Sequence, residues 1–129
     1  WSEFLNIKIN IKPNFFPPKD PHISAKFTIA ANLLGVKIIF GHALMKQLWA
    51  EEKNISEEKN IKLASDHFKI DFKELSILAN SEQVSKIYAD NTSEAVEKNV
   101  FGVPTYIFNN ELFWGQDRLE FLERALENA

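Results

Sequence analysis

Two short runs near the C-terminus have residue types suited to holding a ligand: Val103-Pro104-Thr105 and Gln116-Asp117-Arg118. Pro104 has no N–H to give a ladder, so it belongs at the first residue of a strand, and its X-Pro bond is a candidate for the cis isomer. A cis bond would turn the Val103 N–H and C=O outward, where an extended peptide could pair with them. A trans strand-entry proline is the commoner meaning, since only about 5–6% of X-Pro bonds are cis. Asp117 stands before Leu119, Leu122, Ala125 and Leu126, whose spacing predicts a final helix with Asp117 in its first turn. A carboxylate there is favoured by the helix dipole by a few tenths to ~1 kcal/mol. Arg118 reads as a structural ion pair.

The remaining candidates carry less. There is no cysteine, so the chain offers no thiolate nucleophile, disulfide or Cys-ligated metal, and any thiol chemistry must bring its sulfur from outside. His22, His42 and His67 share no metal-ligand spacing. His22 lies in a proline-rich loop and could act as an acid-base group near neutral pH, although a helix-start histidine is commoner. The serines read as helix caps, with no nucleophile elbow. A formal charge of −3, with 13 scattered lysines, argues against nucleic acid as a partner. Apolar runs such as Ile38-Ile39-Phe40 fall far short of the ~20 residues of a bilayer span, so a soluble chain without a signal peptide is expected.

These residues need elements to position them. Val103 to Phe108 is a β-branched and aromatic run, Asn109-Asn110 is a two-residue turn that tolerates φ > 0, and Glu111 to Trp114 returns as the partner strand. Upstream, Leu5, Ile7, Ile9 and Ile11 alternate with Asn6, Lys8, Asn10 and Lys12, the period-two pattern of a half-buried strand. Four prolines from Pro13 to Pro21 make a loop carrying Phe15 and Phe16.

Five helices are then predicted. The first has Ile23, Phe27, Ala30, Ala31 and Leu34 on one face and ends at Gly35; the second runs from Phe40 to near Asn54. Ser56, Asp71 and Ser81 are expected to cap the third, fourth and fifth, the last ending at Asn99. The order is strand, loop, about five helices, β-hairpin and final helix, an α/β chain. One strand and one hairpin make an undersized sheet, so a preceding segment is expected, with Trp1 and Phe4 as its tail.

Val100-Phe101-Gly102-Val103-Pro104-Thr105 followed by Phe113-Trp114-Gly115-Gln116-Asp117-Arg118-Leu119 resembles the C-terminal signature of 2-hydroxychromene-2-carboxylate isomerases. With the kappa-class glutathione transferases, these form part of the DsbA-like branch of the thioredoxin fold. Phe16-Pro17, Trp49 with Asn54-Ile55-Ser56, and Thr92 with Glu94-Ala95 are similar to further family motifs. Where the family places Asn-Ser or Asn-Thr after Phe-Pro, this chain has Pro18-Lys19-Asp20-Pro21.

The resemblance implies a thioredoxin-like part at 1–18 and 100–129 with an inserted helical domain at 19–99, and an N-terminal strand-helix unit, bearing the catalytic serine, that precedes this sequence. It implies glutathione as cofactor, its cysteinyl part on the Val103 backbone beside Pro104 and its γ-glutamyl end on Gln116 and Asp117. The expected partners are a small aromatic substrate and a second copy of the chain, in the cytoplasm. Two rivals stand beside this reading: a thiol-disulfide oxidoreductase whose cysteines lie in the preceding segment, and a non-catalytic domain that dimerises through its sheet edge.

Overall fold

The computed structural model describes residues 2–36 and 38–129. Its elements are α1 (Pro21–Leu33), α2 (Ile38–Glu51), α3 (Glu58–His67), α4 (Phe72–Ala79), α5 (Glu82–Glu97), β1 (Thr105–Phe108), β2 (Glu111–Trp114), a 3-10 turn (Gln116–Arg118) and α6 (Leu119–Glu127). They form two compact units, Trp1–Tyr88 and Ala89–Ala129.

The first unit is helical, and its helices start and stop for local reasons. Asp20 caps α1 by accepting the His22 N–H at 2.9 Å, with Pro21 at the first helical position where its missing N–H costs nothing. Gly35 ends the helix at φ 89°, bonding back to Asn32 O, a conformation that glycine adopts without steric cost. Asp71 accepts the Glu74 N–H at 2.8 Å to start α4, and Ser81 Oγ accepts the Val84 N–H at 3.2 Å to start α5.

Ser56, expected to cap α3, does not. Glu57 holds the cap position without a side-chain bond, while Ser56 Oγ accepts from the Asp20 N–H at 3.1 Å and donates to Asp20 O at 3.0 Å. A tertiary partner 36 residues away satisfies the hydroxyl in place of the local N–H groups. The core of this unit is Phe27, Ala30 and Ala31 of α1 against Phe40, Leu44 and Leu48 of α2, Ile61 and Ala64 of α3, Leu75 and Ala79 of α4, and Val84 of α5.

The strand expected at Leu5–Ile11 is not formed. Residues 2–6 are turns, 7–10 have no regular structure, and Ile7, Ile9 and Ile11 are exposed. Alternation makes a segment fit to be a strand, but a strand exists only through a paired neighbour, and the sheet of the described residues holds β1 and β2 alone. Trp1, expected as the tail of a preceding element, lies outside the described residues.

In the second unit β1 and β2 pair antiparallel, with Thr105 opposite Trp114, Tyr106 opposite Phe113, Ile107 opposite Leu112 and Phe108 opposite Glu111. Asn109 and Asn110 close the hairpin at φ 49° and 65°, the two positive values of a type I′ turn. The last helix packs on both strands, and Phe113 is buried between them.

Candidate functional site

The loop that carries Val103 leaves α5 through Asn99, at φ 56°, and is then fixed from three sides. Thr105 Oγ1 donates to Gly102 O at 2.6 Å. Trp114 lies over Gly102 and tilts against Phe101, with ring centroids 5.0 Å apart. Beyond the two strands, the Gly115 N–H donates to Pro104 O at 2.8 Å, adding one more rung to the ladder.

That rung brings the two candidate runs together, because Val103 precedes Pro104 and Gln116 follows Gly115. The Val103–Pro104 bond is cis. Val103 is 89% exposed, and neither its N–H nor its C=O has a partner among the described residues. Gln116 and Asp117 are exposed in the 3-10 turn that leads into α6, one turn earlier than the expected placement of Asp117 inside the helix. The first N–H groups of such a start have no intrahelical acceptor. Asp117 makes no ion pair or hydrogen bond among the described residues. Arg118, expected in an ion pair, instead sets its guanidinium 5.2 Å from the centre of the Phe121 ring, with Arg124 at 5.8 Å.

These are the groups that an extended, charged peptide requires. Val103 offers a backbone donor and acceptor, Asp117 a free carboxylate for an ammonium, and the helix start free N–H groups for a carboxylate. Val103, Pro104, Gln116 and Asp117 thus bring a free backbone donor and acceptor, a carboxylate and exposed helix-start N–H groups into one hairpin-helix junction.

The first unit holds the other candidates. His22 Nδ1 lies 2.8 Å from the Tyr88 hydroxyl, the rings meeting edge-on at 5.6 Å, and His22 lines a cavity of about 350 Å3 with Asp20, Lys26, Ser56 and Glu58. No spacing in the sequence links residues 66 apart, so this pair could not be read there. Phe16 packs tilted against Trp49, ring centroids 4.8 Å apart, and the Phe16–Pro17 bond is also cis. The proline-rich loop is held to the end of α2 through Asn14 N–H to Glu52 Oε2 at 2.8 Å, and the segment before it through Asn10 N–H to Trp49 O at 2.7 Å.

The family model described as DSBA-like thioredoxin domain matches residues 1–127. A 2-hydroxychromene-2-carboxylate isomerase of Pseudomonas sp. (strain C18) is 42% identical over 50 residues, which are 39% of this chain and 24% of that protein. The enzyme of the same name from Pseudomonas putida is 43% identical over 47 residues, 36% of this chain and 23% of the relative. Each match thus spans about a quarter of the relative's length. A solved 2-hydroxychromene-2-carboxylate isomerase superposes with a TM-score of 0.77 at 23% identity, covering 99% of this chain and 61% of that one, a likeness of fold. No helix among the described residues is long and apolar enough to cross a membrane.

Proposed function

The chain belongs to the DSBA-like thioredoxin domain family, and from that premise we propose that it is the part of a glutathione-dependent isomerase, of the 2-hydroxychromene-2-carboxylate type, that carries the glutathione-binding hairpin. Residues 1–18 and 100–129 would form its thioredoxin-like part and 19–99 an inserted helical domain. Its working partners would be a small aromatic substrate and a second copy, in the cytoplasm. The names of the curated relatives support the reaction. The single observation that carries the cofactor reading is the Gly115 N–H to Pro104 O bond of 2.8 Å, which sets an unpaired Val103 backbone beside Gln116 and Asp117.

When bound, glutathione would supply the nucleophilic thiol for the isomerisation, which the chain, having no cysteine, does not offer itself. The chain's own residues bind and orient. Val103 N–H and C=O hold the cysteinyl backbone as a short added strand. Asp117 pairs with the γ-glutamyl ammonium, and the N–H groups of the 3-10 turn receive its carboxylate. Thr105 and Trp114 keep the Val103 loop in place, so that little ordering is left for binding.

The test is a calorimetric titration of glutathione into the chain, repeated with Asp117→Ala. Binding weakened tenfold or more, about 1.4 kcal/mol, supports the site; binding that the substitution leaves unchanged overturns it.

A further inference from the structure

The cavity of about 350 Å3 beside His22 lies wholly within the first unit, among α1, α3, α4 and the residues that lead into α1 and α3. Its size is at the small end of the roughly 300–1,000 Å3 of ligand pockets, which suits a small metabolite. Phe27 of α1, Ile61 of α3 and Ala79 of α4, all buried, form its apolar floor.

Some of the polar groups around that floor are fully used by the fold. Asp20 Oδ1 accepts the His22 N–H, and Ser56 Oγ exchanges two hydrogen bonds with the Asp20 backbone. Others are left over, and they sort by element. On α1, one turn apart, stand two donors. Lys26 is half-buried, reaches Ser85 Oγ at 3.3 Å, and has no carboxylate partner among the described residues. His22 engages the Tyr88 hydroxyl through Nδ1 at 2.8 Å, and its Nε2 has no hydrogen bond among the described residues. Acceptors come from α3 and α4. The Glu58 carboxylate makes no ion pair or hydrogen bond among the described residues, and Asn80 donates its Nδ2 to Ser76 O at 2.8 Å, which leaves Oδ1 open.

A half-buried ammonium without a counter-charge is unfavourable. Yet Lys26 and Glu58 line one cavity without pairing. A guest that carries both charges satisfies both groups at once, while its apolar body displaces water from Phe27, Ile61 and Ala79. A simple anion leaves Glu58 unmatched, and a simple cation leaves Lys26 so.

We infer that this cavity binds a free α-amino acid with an apolar side chain, held by Lys26 at its carboxylate and by Glu58 and Asn80 at its ammonium. His22 is a second donor to the carboxylate, and the Tyr88 hydroxyl fixes its ring. The inference does not rest on the glutathione reading, whose residues belong to the second unit.

The test is a calorimetric titration of free leucine into the chain, beside N-acetyl-leucine, which lacks the ammonium, and leucinamide, which lacks the carboxylate. All three are titrated again into Glu58→Gln and Lys26→Met. The expected result is saturable binding of leucine by the parent, with either derivative about tenfold weaker or worse, as the loss of a charged hydrogen bond requires. Glu58→Gln should bind leucine and N-acetyl-leucine alike, and Lys26→Met should bind leucine and leucinamide alike. A merely damaged fold does not produce that matching of variant to ligand. Asp117→Ala should bind leucine as the parent does. No binding of leucine at millimolar concentration, equal binding of all three ligands by the parent, variants that still tell the derivatives apart, or loss of leucine binding in Asp117→Ala would overturn it.

Discussion

The indole of Trp114 lies so close over Gly102 that a Cβ built on the glycine would stand 2.6 Å from Nε1 and 3.3 Å from Cε2. Real Cβ atoms do not approach that closely, so an alanine at 102 must displace the ring or the loop. Trp114 is half exposed and free to swing outward, which would break its contact with Phe101. Gly102→Ala should therefore cost about 0.5–1.5 kcal/mol, the worth of an aromatic pair. Tryptophan fluorescence should report a wetter indole. In a Trp114→Ala background the same substitution should be close to neutral. An equal cost in both backgrounds would show that the glycine is needed for some other reason.

Thr105 closes the same loop from the other side. Its hydroxyl donates to Gly102 O at 2.6 Å, and the valine isostere keeps the shape while removing the donor. Thr105→Val should lose about 1 kcal/mol of stability, and glutathione affinity should fall with it because the Val103 backbone is no longer held. Thr105→Ser should restore both. Titration calorimetry beside denaturant unfolding separates the two effects, and a valine variant with unchanged affinity would show that the loop needs no such tie.

Much of this hairpin was legible because its signals are local. Asn109-Asn110, Pro104 and Gly115 each dictate a backbone conformation by their own chemistry, as do Asp71 and Ser81 at their helix starts. Legibility failed where a distant partner decides. Ser56 has the type and place of a cap, but Asp20 claims its hydroxyl. Leu5 to Ile11 has the pattern of a strand without a strand to pair with. The site divides in the same way: the exposure of Val103, Gln116 and Asp117 follows from their places at element ends, whereas His22 meeting Tyr88 depends on how α1 and α5 pack.

The turn makes a sharp prediction of its own. Asn110 sits at φ 65°, where a β-branched side chain is crowded against its own backbone. Asn110→Val should destabilise the hairpin by roughly 1–2 kcal/mol, and Asn110→Gly should be tolerated. Amide exchange at Tyr106 and Phe113, which face each other across the ladder, reads the difference. Equal protection in the two variants would mean that the strands are held by α6 rather than by their turn.

A last prediction concerns pH. Lys53 Nζ lies 2.8 Å from Glu51 Oε2 and Lys46 Nζ 3.8 Å from Oε1. The hydrogen bond from Lys53 holds the Glu51 carboxyl below its ordinary value of 4.5, outweighing the opposing effect of partial burial. Because the folded state binds this proton less readily than the unfolded state, the ion pair contributes fully above the unfolded value. Its contribution is lost as pH falls through the lower, folded one. Both side chains are about a third exposed, so the gain belongs at the low end of the roughly 0.2–1 kcal/mol of surface pairs. Glu51→Gln should thus lower stability by a few tenths of a kcal/mol at neutral pH and low salt. The gap from the parent should close in acid and shrink as salt is added. Denaturant unfolding of both proteins across the carboxylate range measures that gap. A gap independent of pH would mean that the difference does not come from the carboxylate's charge, and no gap at any pH would mean that the side chain's shape, which glutamine keeps, is all that matters.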